Sequence, residues 1–125
     1  MCRLLFYIVL FILLPLVSWA NTITVCEGCK VSSIKEAVKV ASAYDTIVVQ
    51  KGVYREYNIG IDKPLTLLGE NQPTIDGMDK GEIITIESDH VTVDGFTIIN
   101  VGTSYTTDYA AIRVVKSTDF LIQQN

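Results

Sequence analysis

From residue 46 onward, the chain alternates short apolar stretches with polar or glycine-containing breaks. Three of these stretches, Thr46–Val49, Tyr57–Ile59 and Leu65–Leu68, have the length of short β-strands. Apolar positions then recur at intervals of about 23 to 29 residues, a drifting period within the range of solenoid proteins. The aligned sets are Ile47, Ile75 and Ile98; Ile59, Ile84 and Ile112; and Leu67, Val93 and Ile122. Because each coil of such a fold buries its apolar residues only against its neighbours, the pattern predicts an all-β parallel β-helix of about three coils over residues 46–125.

A pattern typical of an α-helix precedes these strands. Four apolar residues repeat at helical spacing and would form one buried face: Ile34, Ala37, Val38 and Ala41. Ser33 and Glu36 match a capping box, in which the serine hydroxyl accepts from an amide of the first turn and the glutamate reaches back to the serine amide. We expect residues 21–45 to contain a strand and then this helix, Ser33–Ala43, which caps the N-terminal end of the β-helix.

Turn residues separate the predicted strands. Asp76-Gly77 and Asp94-Gly95 hold similar places in successive coils, so their carboxylates could stack, and such pairs can bind calcium or act as acid–base groups. The alternative is that Asp-Gly is simply favourable turn chemistry. His90, the only histidine, lies in a predicted turn with no partner evident from the sequence, and we interpret it as a solvated turn residue.

The segment Gly52–Glu56 follows the first predicted strand of the β-helix. We interpret it as a glycine turn with Tyr54 packed over the cap helix and with exposed charges. A second segment, Thr103–Tyr109, is polar and aromatic, and we expect it to be a surface excursion between two strands.

The N-terminus has the three parts of a secretory signal. Arg3 precedes an uncharged apolar run over residues 4–17, and small residues then lead to a cleavage position before Asn21. The alternative is an uncleaved membrane anchor, but the run is shorter than the roughly 20 residues that span a bilayer and Pro15 interrupts it. We therefore expect residues 1–20 to be a signal peptide, with export to the periplasm in a Gram-negative source.

Composition excludes two classes of protein. The chain has Lys+Arg 10 and Asp+Glu 14, a formal net charge of −4, and loss of the leader removes Arg3 and no acidic residue. A nucleic-acid binder normally carries a basic face or stripe, and this sequence supplies none. Hydrophobic residues make up 49% of the chain and charged residues 19%, which excludes intrinsic disorder.

Cys26 and Cys29 are the cysteines that remain once the leader, with Cys2, is removed. In an oxidising compartment the pair can form a disulfide, or two thiolates can bind Cu(I) or take part in sulfur chemistry. A zinc site would need two further ligands. A thioredoxin-like redox site would place the CxxC at the start of a helix in a βαβ unit, which is not the setting here. A structural pair and a metal or sulfur site both remain open from the residues alone.

The chain stops after the third strand of the third predicted coil. An uncapped solenoid end is an exposed template for strand pairing. We therefore expect residues 46–125 to be the N-terminal part of a longer β-helix, truncated at its C-terminal side.

Six segments together form a recognisable N-terminal sequence pattern: Ser33–Ala43, Asp45–Val49, Gly52-x-Tyr54-x-Glu56, Lys63–Gly69, Ile75–Gly77 and Val91–Phe96. They resemble the N-terminus of the NosD family, the periplasmic β-helix proteins of nitrous oxide reductase maturation, over essentially all of residues 22–125. The early segments are shared with other right-handed, pectin lyase-like β-helix proteins, including pectinesterases. Asp94–Gly102 and Ala110–Val114 resemble NosD more closely. The resemblance implies a right-handed parallel β-helix.

The resemblance also implies a non-catalytic accessory role, so that no catalytic residue is assigned. The NosD family works with an ABC transporter, an ATPase plus a membrane permease, in assembling the copper–sulfide centre of nitrous oxide reductase. The implied partners are thus that transporter and the reductase, and the implied cargo is copper or a sulfur species. Cys26 and Cys29 are the candidate metal-binding residues, on thiol chemistry alone.

Two other functions stay open. One is a carbohydrate-active β-helix enzyme, such as a pectinesterase or lyase, because long β-helix faces suit extended polymers and the fold hosts unrelated functions. Such an enzyme should carry paired Asp, or Asp with Arg or Lys, on coils beyond residue 125. The other is a non-catalytic surface solenoid.

Overall fold

The computed structural model describes residues 19–125. All but the last two residues of the predicted signal peptide, 1–20, therefore lie outside the described residues. Within 19–125, no helix is long and apolar enough to cross a membrane.

One helix and eleven strands make up the described chain. In chain order they are β1 (Thr22–Val25), α1 (Ile34–Val40), β2 (Asp45–Val49), β3 (Val53–Arg55), β4 (Ile59–Ile61), β5 (Leu65–Gly69), β6 (Thr74–Asp76), β7 (Ile84–Ile86), β8 (Val91–Asp94), β9 (Thr97–Ile99), β10 (Ile112–Val114) and β11 (Phe120–Gln123).

The strands form three parallel sheets that wrap around one apolar core. Sheet A has the order β1-β2-β5-β8-β11, sheet B has β3-β6-β9, and sheet C has β4-β7-β10. Each coil contributes one strand to each sheet, so the chain passes from sheet A to B to C and then begins again one strand further along. The prediction of a right-handed parallel β-helix is confirmed, with three complete coils and the additional strands β1 and β11.

The register confirms two of the three predicted apolar stacks. Ile59, Ile84 and Ile112 are partners across sheet C, and Leu67, Val93 and Ile122 are partners across sheet A. The third stack was wrong in its first member, because Ile47 pairs with Leu67 in sheet A. Tyr54 instead precedes Ile75 and Ile98 in sheet B. The first coil is shorter than the next two, and an aromatic residue takes the place where an aliphatic one was expected.

One predicted strand was also wrong in its bounds. The strand predicted at Tyr57–Ile59 begins only at Ile59, as β4 (Ile59–Ile61), because the chain turns before it, with Asn58 at a φ of 53°. Asparagine adopts this left-handed conformation more readily than most residues, so it suits a corner between two sheets. Strand β3 lies in the segment interpreted from sequence as a turn.

Helix α1 covers the N-terminal end of the core, as predicted. Its buried face consists of Ile34, Ala37, Val38 and the C-cap residue Ala41, and it packs against β1, β2 and β4. It ends before the predicted Ala43, since Ala41 is already extended at φ −66° and ψ 147°. The carboxylate of Asp45 accepts from the amide of Ser42 at 2.8 Å, which turns the chain toward β2.

Candidate functional site

The loop between β1 and α1 contains a disulfide that joins Cys26 and Cys29. Gly28 adopts a φ of +84°, and the amide of Cys29 donates to the carbonyl of Cys26 at 3.2 Å, so the loop is a tight turn. The two Cα atoms are 5.1 Å apart, within the range that a disulfide spans.

This pairing bears on the copper or sulfur species that the resemblance implies. Sulfurs joined in a disulfide are not thiolates, so they do not fit a metal ion in this state. Among residues 19–125, no three His, Cys, Asp or Glu side chains lie together as a metal site requires. A metal or sulfur role for Cys26 and Cys29 stays a prediction that applies to the reduced pair.

The start of α1 is capped from the first coil. Ser33 is the N-cap, and its hydroxyl accepts from the amide of Glu36 at 3.3 Å, as the capping box predicts. Two further amides of the first helical turn are capped by Glu56, whose carboxylate accepts from Ile34 at 2.8 Å and from Lys35 at 3.0 Å. The same carboxylate accepts from the Ser33 hydroxyl at 2.7 Å. Glu56, interpreted from sequence as an exposed charge, therefore joins the cap helix to the coil.

Tyr54 lies beside this junction with its ring buried. Its hydroxyl donates to the carbonyl of Gln50 at 2.7 Å. Burial, together with the negative charges of Glu56 and Glu27, raises the pKa of the Tyr54 phenol. The side chain is thus held as a neutral donor that supports the turn before β3.

An open groove of about 680 Å³ separates the disulfide loop from β3. Its lining residues are Glu27, Ser32, Ser33, Lys51, Gly52, Val53, Tyr54, Arg55 and Glu56. Because the Glu56 carboxylate is engaged by the helix, the charges that line the groove are the cations Lys51 and Arg55, which flank or belong to β3, and the anion Glu27 of the disulfide loop.

A smaller depression continues from the groove around the corner to Tyr57. Lys35, Arg55, Glu56, Tyr57 and Asn58 line it. The ammonium groups of Lys35 and Lys80 lie 5.6 Å and 5.9 Å from the centre of the Tyr57 ring, within cation–π range. The groove and this depression form one continuous surface that carries four basic side chains on an acidic protein. We call it the cap groove.

The structure separates the two aspartates that could have stacked. Asp76 lies in sheet B beside Arg55 and Ile99, whereas Asp94 lies in sheet A beside Leu68 and Gln123. The alternative in which these carboxylates stack as a calcium or acid–base pair is therefore wrong, because the two Asp-Gly turns belong to different sheets, and the interpretation as turn chemistry remains.

Each aspartate instead has a local role. Asp76 accepts from Asn100 and from the amide of Met78, both at 2.9 Å, and these hydrogen bonds lower its pKa. The Asp94 carboxylate accepts from the side-chain amide of Gln123 at 3.1 Å. These contacts hold turns and neighbouring coils together.

His90 is an exposed turn residue, as predicted, but it has partners. Its Nδ1 lies 2.6 Å from a carboxylate oxygen of Asp119, which precedes β11, and its ring centre is 6.5 Å from that of Tyr44, which precedes β2 two strands away in sheet A. Both partners come from other coils, so nothing in the local sequence pointed to them. The loop Thr103–Tyr109 is exposed, as expected.

No protein-family model, curated protein or solved structure matches the chain. The fold and the cap groove therefore carry the functional argument, together with the resemblance seen in the sequence. The groove presents basic side chains, the face of the Tyr57 ring and the edge of one strand, and each of these can bind a ligand or a partner protein. Sequence reasoning missed this groove because its residues come from the disulfide loop, the start of α1, the first coil and, with Lys80, the second coil. The alternation of Lys51, Val53 and Arg55 was the one local signal.

Proposed function

We propose that this protein is an exported, non-catalytic accessory protein in the maturation of the copper–sulfide centre of nitrous oxide reductase. In this role its β-helix works in the periplasm with an ABC transporter, docks to the permease and assists delivery of copper or a sulfur species to the reductase. The protein acts by binding partners, and no residue is assigned to catalysis.

The observation that carries the proposal is the right-handed β-helix itself, built from the segments that resemble the NosD opening. The segment Gly52–Glu56 supplies β3 and the cap of α1, and Val91–Phe96 supplies β8 and a buried phenylalanine. The Cys26–Cys29 disulfide supports export, because disulfides persist in oxidising compartments.

Gene deletion tests this function. Anoxic cells that lack the gene should accumulate nitrous oxide, and the purified reductase should lack its copper–sulfide centre while its other copper centre stays intact. Restoring the gene on a plasmid should restore both. Normal nitrous oxide consumption in the deletion strain would reject the proposal.

A carbohydrate-active or carbohydrate-binding β-helix is the second candidate, and the surroundings of Tyr57 favour it. An aromatic ring flanked by Lys35 and Lys80, with Arg55 nearby, suits a sugar that carries a carboxylate. Incubation with polygalacturonate and alginate, followed by analysis of products and of binding, tests it. Binding that Tyr57→Ala abolishes, together with normal nitrous oxide consumption in the deletion strain, would favour this candidate. A surface solenoid would give neither result.

A further inference from the structure

Strand β3 is the uncovered strand edge of the first coil. Within residues 19–125, β2 has β1 on its outer side and β4 has α1 packed against it, but β3 pairs only with β6. The space beside β3 is the cap groove, and six consecutive residues of the groove lining, 51–56, are the strand and its flanks. Native proteins usually cover or block such edges, because an open edge accepts another strand.

The hydrogen-bond pattern shows which backbone groups face this space. The amide of Thr74 donates to the carbonyl of Gly52 at 2.8 Å, and the amide of Glu56 donates to the carbonyl of Asp76 at 3.1 Å. In a parallel pair, alternate residues of a strand direct their N–H and C=O groups to the same neighbour. Residues 52, 54 and 56 therefore face β6, and the N–H and C=O groups of Val53 and Arg55 point into the groove.

The side chains along this edge are basic, apolar and basic in turn. Lys51, Val53 and Arg55 alternate with the inward-facing Gly52 and Tyr54, so they project on the outer face. Val53 is 61% exposed, which is high for a β-branched residue in a strand. An added strand would place its own outward side chains beside these three.

The charges around the edge favour acidic neighbours. Arg55 has Asp76 beside it on β6, which offsets part of its charge, and Glu27 of the disulfide loop also lines the groove. Glu56 is engaged by α1, which leaves Lys51 as the cation without an acidic neighbour on β6. A partner strand that carries carboxylates beside Lys51 and Arg55, with an apolar residue between them, complements this row.

We propose that β3 binds an extended acidic segment of a partner protein by strand addition. The segment carries two carboxylates spaced four residues apart with an apolar residue midway, and it hydrogen-bonds to the backbone of Val53 and Arg55. Main-chain hydrogen bonds supply affinity and the alternating side chains supply specificity, as in other cases of strand addition. This binding site does not depend on the copper-maturation function, so each can fail without the other.

A synthetic peptide tests the proposal on the purified chain. The probe is acetyl-Thr-Glu-Thr-Val-Thr-Glu-Thr-amide, and the matched control replaces both glutamates with lysine. We expect the glutamate peptide to bind at least ten-fold more tightly by calorimetry. Hydrogen exchange should slow at the amides of Val53 and Arg55, and change little at Tyr54, whose amide already faces β6. Failure of the glutamate peptide to bind at millimolar concentration would overturn the proposal.

N-methylation of the peptide separates strand addition from simple charge attraction. Methyl groups on every second amide block one edge of an extended peptide, so two peptides, methylated in the two alternate frames, block opposite edges. Strand addition requires that one frame abolish binding and that the other leave it nearly unchanged. Equal binding by both frames would overturn the proposal, as would displacement of the peptide by oligogalacturonate at equal concentration.

Charge reversal on the protein completes the test without altering the peptide backbone. Lys51→Glu combined with Arg55→Glu should weaken the glutamate peptide and strengthen the lysine peptide, each by at least ten-fold. Glu27→Gln should strengthen the glutamate peptide by a smaller factor. Lys116→Glu, an exposed lysine on the third coil, is the control and should change neither. If Lys116→Glu changed binding as much as the double reversal does, net charge alone would govern binding and the proposal would be overturned.

Discussion

The carboxylate of Glu56 adds to the local Ser33 cap of α1 a contact from the first coil, and its removal gives a quantitative test of the fold. The side chain accepts two backbone amides at the start of α1 and the hydroxyl of the N-cap residue Ser33. Substitution with alanine leaves these donors to water, while Glu56→Gln keeps an oxygen acceptor without the charge. The two variants therefore separate the hydrogen bonds from their charge-assisted part.

The expected magnitude follows from the number and exposure of these bonds. A capping side chain contributes about 0.5–2 kcal/mol, and a hydrogen bond to a charged group about 1.5–3 kcal/mol. Lys35 and part of Ser33 stay in contact with solvent, so water compensates for much of the loss. We expect Glu56→Ala to lower the free energy of unfolding by about 2–3 kcal/mol, and Glu56→Gln by about 1 kcal/mol.

Urea denaturation followed by far-ultraviolet circular dichroism measures these changes, and a thermal scan should show a fall in Tm of about 10–20 °C for the alanine variant. Glu70→Ala is the matched control, because Glu70 is exposed and makes no side-chain hydrogen bond within the described residues; it should stay within about 0.5 kcal/mol of the parent chain. If Glu56→Ala and Glu70→Ala lose equal stability, the helix does not depend on the cap that Glu56 supplies from the first coil, and the reasoning fails.

Three further predictions concern the apolar core, the loss of stability at low pH and the disulfide. Phe96→Ala should lower the free energy of unfolding by about 3–5 kcal/mol, because Phe96 is fully buried, whereas Phe120→Ala, at a residue 44% exposed, should cost much less in the same urea titration. Hydrogen bonds from the Asn21 and Ser42 amides hold the pKa of the Asp45 carboxyl below its usual 3.8. The stability that the ionised carboxylate contributes is therefore present above pH 3.8 and is lost as the pH falls through the lower folded pKa. Asp45→Asn should be less stable than the parent chain at neutral pH and should lose less stability on acidification, as measured by urea titration at each pH. Replacing both Cys26 and Cys29 with serine should leave the circular dichroism spectrum unchanged and lower the free energy of unfolding by about 2 kcal/mol from loop closure; unaltered reductase activity with this variant in cells would exclude an essential metal or sulfur role for the pair.

The stacks show where sequence reasoning succeeded within the fold. The sets that begin at Ile59 and Leu67 were predicted correctly, because β-branched and leucine side chains recur wherever a strand faces the core. Ile47 was assigned to the wrong sheet, since spacing alone does not reveal that the first coil is short and that Tyr54 fills its position in sheet B. The corner at Asn58 was hidden for a related reason: a left-handed residue between two strands leaves no apolar signature.

The amino-acid sequence by itself determined the β-helix, its cap helix and the buried faces, because these depend on periodic burial of apolar residues and on local capping. Only the tertiary structure decided the functional surface. The link between Glu56 and α1, the pair His90 and Asp119, and the cap groove each join residues from different coils or from the cap and a coil. Coils of unequal length set which residues become neighbours, and that stacking is a property of the folded chain that no local pattern encodes.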